Sequence, residues 1–209
     1  ECEIYVSEEE GEGQTIFVDY PTLFFGSEND YVLRRVKVEC GARGALEPEG
    51  SNCKIVPYIQ TEIAHLWDLT IHGVSMIAPE RTFLEKLSAI HSLNCRFRDQ
   101  GIAPADRQRV TRHYYDLAFM ANSKYASEAI KASELLNNVR EHNKLVFPSA
   151  WAKHEEFKPG TILVLPPEGM LSALQKDYSD MQGMMYDNPP TFEWILEQLS
   201  RINSSINQV

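Results

Sequence analysis

Basic residues are scarce. Only 20 Lys and Arg stand against 30 Asp and Glu in 209 residues, for a formal net charge of −10. A general DNA-coating protein needs a basic surface, so that class is excluded. Long apolar runs are missing as well. No stretch of about 18 apolar residues occurs, so no transmembrane helix is expected. Cysteine is sparse: Cys2, Cys40, Cys53 and Cys95 show neither metal-ligand spacing nor a disulfide-framework pattern. They read as reduced thiols of a cytoplasmic protein. Methionine is absent until Met76, and the chain opens at Glu1-Cys2-Glu3 without an initiator or an apolar signal segment. Beside cytoplasmic thiols, this points to missing upstream protein rather than a cleaved secretory leader. G-x-S-x-G, G-x-x-x-x-G-K, G-x-G-x-x-G and H-E-x-x-H are all absent. The six histidines, His65, His72, His91, His113, His142 and His154, lack close metal-ligand spacing and read as ordinary surface or core side chains.

What is present describes a globular chain. Hydrophobic residues make up 43% and charged residues 24%, and the length allows one domain or two small ones with a proper core. The front reads as strands. Glu3-Ile4-Tyr5-Val6 and Thr15-Ile16-Phe17-Val18 flank a polar, Gly-containing stretch with Glu8-Glu9-Glu10 at its tip, the pattern of a hairpin. Tyr31 to Glu39 and Leu69 to Ile77 are further strands, and residues 41–53 read as loop. After Pro79 the period changes. Phe83, Leu87 and Ile90 recur at helical spacing, and Val110, Tyr114, Leu117 and Ala121 do so after Gly101 and Pro104. Ser127 to Val139, Met170 to Met185, and a segment from Thr191 to about Ile202 complete the helices. The expected fold class is α+β, with a strand-rich part over 1–78 and a helical part over 79–209.

Charge is unevenly spread. Residues 81–113 carry Arg81, Lys86, Arg96, Arg98, Arg107, Arg109 and Arg112 against Glu85, Asp99 and Asp106, a local excess of +4 in an acidic chain. Such a face can steer a polyanion, or it can be a set of solvated helix surfaces. Lys86 falls between Ile90 and Leu93 on the helical wheel, at the edge of the apolar stripe. There it can snorkel into water or hold phosphate as a point charge. Asp116 lies four residues after Arg112. It can form an ordinary surface pair, or act as a base or as a partner that orients Lys86.

Pro79-Glu80-Arg81-Thr82-Phe83-Leu84-Glu85-Lys86-Leu87 and Arg112-His113-Tyr114-Tyr115-Asp116-Leu117 resemble the paired helical motifs of the AbiEii/AbiGii nucleotidyltransferase toxin family. Lys176-Asp177-Tyr178, Met181, Met184-Met185, Pro190-Thr191-Phe192 and Val36-Lys37-Val38-Glu39 extend the resemblance, which runs from about residue 15 to the C-terminus. The family is similar to polymerase β-type nucleotidyltransferases. The resemblance implies a bacterial toxin or abortive-infection protein, encoded beside an antitoxin, that moves a nucleotide from a nucleoside triphosphate with Mg²⁺, in some members onto tRNA. It implies Lys86 and Asp116 as catalytic residues, Lys37 and Arg81 as nucleotide contacts, and Glu39 as a metal-side carboxylate. Arg96, Arg98, Arg107, Arg109 and Arg112 are the candidate guides for RNA. One departure stands out. The family's Gly-Gly or Gly-Ser motif, followed by a strand with Asp-x-Asp or Asp-x-Glu, has no counterpart here, since Gly26-Ser27 with Asp30 is too short. This chain alone is therefore expected to lack the two principal Mg²⁺ carboxylates. The competing readings are a non-catalytic module that binds RNA or an antitoxin through 81–113, and a plain structural domain.

Overall fold

A computed structural model describes residues 2–6, 14–21, 34–40, 44–45, 47–105, 109–185 and 188–208, apart from the side chains of Gln14 and Glu49. The chain is α+β: two small antiparallel sheets come first and helices follow. Strands β1 (Glu3–Val6), β2 (Gln14–Asp19) and β3 (Arg35–Cys40) pair in the order β1-β2-β3. Ile4 opposes Val18, Ile16 opposes Val38, and Phe17 opposes Tyr5 and Lys37. Strand alternation therefore puts Ile4, Val6, Ile16, Val18, Val36 and Val38 on one face and Lys37 with Phe17 on the other. β1 and β2 pair as the expected hairpin does. Its acidic tip, and Gly26-Ser27 with Asp30, lie outside the described residues.

Strands β4 (Glu49–Ile55) and β5 (Ile71–Ile77) flank one helical turn, α1 (Gln60–Ile63). The loop expected over 41–53 is therefore corrected: its described end is a strand. Glu-Gly-Ser-Asn-Cys-Lys-Ile has little β-branched content, so pairing with β5, rather than propensity, makes this strand. Gly50 marks the close approach, because a Cβ there would sit 1.7 Å from the Met76 carbonyl oxygen.

Helix α2 (Pro79–Gln100) starts with proline in its first turn, where a missing N–H costs nothing. It stops at Gly101, whose φ of 67° places it in the left-handed region and whose N–H reaches the Phe97 carbonyl at 2.7 Å. Next come α3 (Thr111–Met120), α4 (Lys124–Lys131), α5 (Ser133–Val146), α6 (Leu171–Met181) and α7 (Phe192–Asn207). The single helix expected over 127–139 is two, broken at Ala132 (ψ 72°). Ser123 caps the first of them, its Oγ accepting from the Ala126 N–H at 3.2 Å. The helix expected over 170–185 is α6 between two 3₁₀ turns, Glu168–Met170 and Gln182–Met184. The last helix runs to Asn207 rather than Ile202.

The core is helical. Phe83, Leu84, Leu87 and Ile90 of α2 are fully buried, packed with Tyr114 and Leu117 of α3, Leu136 and Val139 of α5, and Ile195 and Leu199 of α7. Polar bonds tie irregular segments to this helix. Asn94 donates to the carbonyls of Leu163 at 2.9 Å and Leu165 at 3.3 Å, and accepts from the Tyr114 hydroxyl at 2.9 Å. Leu87 has no exposed surface, so Leu87→Ala is expected to destabilise the chain by about 2–5 kcal/mol. Urea titration reads this, and a loss below about 1 kcal/mol contradicts the placement of the core.

Candidate functional site

The burial of Leu87 on α2 and Leu117 on α3 leaves Lys86 and Asp116 at the rim between the two helices. There the Lys86 ammonium meets the Asp116 carboxylate, Nζ to Oδ2, at 2.5 Å. Neither side chain is buried: the exposures are 26% and 38%. The contact is therefore open to solvent and to a ligand. An ammonium has three N–H donors. Asp116 takes one and leaves two.

Residues near the pair were not legible as site residues. Asp177, within the tail motif Lys176-Asp177-Tyr178, accepts from the Thr111 N–H at 2.8 Å and so caps the first turn of α3. Thr111 also donates to the Leu174 carbonyl at 3.1 Å. Asp177 thus sets the start of the helix that carries Asp116. His113, one turn before Asp116, borders a groove of about 850 Å³ between α2, the start of α3 and the end of α5. A second cavity, of about 520 Å³, lies along α3 and is lined by Arg112, Asp116, Tyr115, Phe119 and residues around Met181 and Pro190.

The other sequence candidates are distributed differently. Arg81 is wholly buried. Its Nε donates to Glu85 at 2.7 Å, and its Nη1 donates to the Asn138 side chain at 2.8 Å and the Glu47 carbonyl at 2.5 Å. It joins three segments of the fold and does not face outward beside Lys86. Lys37 pairs with Glu39 at 2.9 Å on β3, on the three-stranded sheet rather than on α2 or α3. Arg98 is held by Asp99 at 2.6 Å and Glu156 at 2.8 Å, which push its pKa above the ordinary guanidinium value. Arg96 lies over the Trp151 ring at 5.0 Å. Arg109 has a positive φ of 53°, Arg112 is exposed, and Arg107 lies outside the described residues. The 81–113 arginines do not make a uniform basic face.

The described residues do not fit a two-carboxylate metal centre. Glu39 and Asp116 are each engaged by a lysine. Among the described residues no group of three or more His, Cys, Asp and Glu gathers to hold an ion. Nor, among them, is any helix long and apolar enough to cross a membrane.

Fold and site together define an α+β protein that carries a lysine–aspartate pair on adjacent helices beside two cavities. The model of the family described as Nucleotidyl transferase AbiEii toxin, Type IV TA system, matches residues 2–198. The chain belongs to this family of nucleotidyl transferase toxins. Membership implies nucleotidyltransferase-type function within a type IV toxin–antitoxin system, and an antitoxin partner. No curated protein and no solved structure matches the chain.

Burial lowers the pKa of His113 to about 4, helped by the charges of Lys86 and Arg112 and opposed by Asp116. Burial also takes His91 to about 4. Its Nδ1 accepts from the Leu163 N–H at 3.0 Å, and its Nε2 faces the Lys153 carbonyl at 3.4 Å, as a neutral ring requires. Unfolded, both rings protonate near pH 6.5, so the unfolded chain binds more protons between about pH 6.5 and 4. Their contribution lowers stability as pH falls through that window and is flat above it. His113→Asn is expected to flatten the pH dependence of the urea midpoint between pH 6.5 and 4. An unchanged slope contradicts the neutral ring.

Proposed function

We propose that this chain supplies the lysine–aspartate part of a nucleotidyl-transfer site that uses a nucleoside triphosphate as donor and an RNA, such as tRNA, as acceptor. The observation that carries this reading is the 2.5 Å contact between Lys86 and Asp116, partly exposed at the α2–α3 rim. Lys86 meets the triphosphate as a point charge. Its aspartate partner fixes the ammonium's position.

In the step proposed, an acceptor hydroxyl oxygen bonds to the α-phosphorus. The bond from that phosphorus to the bridging oxygen breaks, and pyrophosphate leaves. Asp116 orients Lys86 or receives the hydroxyl proton. The Mg²⁺ that the resemblance implies would neutralise the triphosphate. The described residues offer it no binding set, and no step here is assigned to it. Arg112, exposed on α3 one turn from Asp116, is the arginine best placed to contact the acceptor.

Lys86→Ala and Asp116→Ala are each expected to lower incorporation of α-labelled nucleotide into RNA by about 100-fold or more. Both are also expected to relieve growth arrest on expression. Near-normal incorporation in either variant contradicts the assignment. RNA binding that is steeply salt-dependent but indifferent to nucleotide, with no transfer in the unaltered protein, would instead support a binding module.

A further inference from the structure

The groove beside His113 has no role in the step above, yet its chemistry is selective. None of the described residues lining it is a lysine or arginine. Its single carboxylate, Glu85, is taken by Arg81. It therefore offers a phosphate no lysine or arginine side chain. Leu93, Phe147 and Trp151 supply apolar and aromatic walls. Asn143 is turned to the α2 hydroxyl of Ser88 at 2.9 Å. Two lining histidines, His113 and His154, each keep a buried Nδ1 with no partner among the described residues. His154 Nε2 lies 3.0 Å from the Phe147 carbonyl, which can only accept. Nε2 therefore carries the proton, and in the neutral ring Nδ1 is left as an acceptor. A groove of about 850 Å³ with apolar walls and few convergent polar groups suits a small uncharged ligand.

Its position is as informative as its lining. Glu85 and Ala89, one residue before Lys86 and three after it on α2, both border the groove, as does His113 one turn before Asp116. The Lys86 charge is among the causes that lower the His113 pKa. We propose that this groove binds the base of the donor nucleotide, a nucleobase with an N–H that meets His154, while the phosphates extend to Lys86. The proposal rests on the reading of Lys86 given above.

The test uses the full chain with the four ribonucleosides and their triphosphates, followed by ligand-observed NMR competition and a transfer assay. At least one nucleoside is expected to bind saturably and to compete with its own triphosphate. Ala89→Leu fills the groove, and His154→Phe keeps the ring but removes the acceptor. Both are expected to weaken nucleoside and triphosphate binding by about tenfold or more, with thermal unfolding transitions retained. Lys86→Ala is expected to weaken the triphosphate alone. If no nucleoside binds, or if both groove variants leave triphosphate affinity unchanged while Lys86→Ala still abolishes transfer, the groove holds only water. The proposal then falls and the reading of Lys86 stands. Unchanged transfer in Lys86→Ala overturns both.

Discussion

Helices α2 and α3 are locked together by buried side chains, and the rest of the site follows from that lock. Leu87 and Ile90 meet Tyr114 and Leu117 in the core, and the Tyr114 hydroxyl reaches Asn94 across the same interface. With the apolar stripes facing inward, Lys86 can only emerge at the rim, and Asp116 emerges opposite it. A one-residue rotation of either helix would turn one partner by about 100° and separate the charges. Asp177 adds a second constraint. By holding the Thr111 N–H, it sets where α3 begins and therefore where Asp116 stands.

Electrostatics then narrows what the site can do. The cluster of arginines over 81–113 is largely answered within the protein. Arg81 is consumed in joining Glu85, Asn138 and the Glu47 backbone, and Arg98 is shared by Asp99 and Glu156. Among the described residues beside the cavities, the Lys86 ammonium, the Asp116 carboxylate and Arg112 reach solvent. Such an arrangement suits point recognition of a phosphate better than coating of a polyanion.

Much of this was legible in the sequence because it is local. The 3.6-residue period placed α2, α3 and the rim position of Lys86, and Pro79 and Gly101 marked the ends of α2. The class, α+β with strands first, followed from the change of period after Pro79. Most of what was not legible depends on distant partners. β4 is a strand because β5 pairs with it, and its own residues carry no such pattern. The break at Ala132 has no proline or glycine to announce it. The burial of Arg81 could not be read from the sequence, because Glu47 and Asn138, which hold it, are far away along the chain. Asp177 gave no sign of its task, since its partner lies 66 positions away. His113 carried no signal either, as an isolated histidine becomes informative only once the groove beside it is known.

The central claim is that Lys86 and Asp116 act as one unit in nucleotide transfer. A double-mutant cycle on kcat/KM for nucleotide transfer to RNA tests it most directly, comparing Lys86→Ala, Asp116→Ala and the combined variant. If the pair is one unit, the combined variant loses about as much as the worse single one, as in catalytic groups that work together. Losses that multiply in the combined variant would show two independent contributions and contradict the claim.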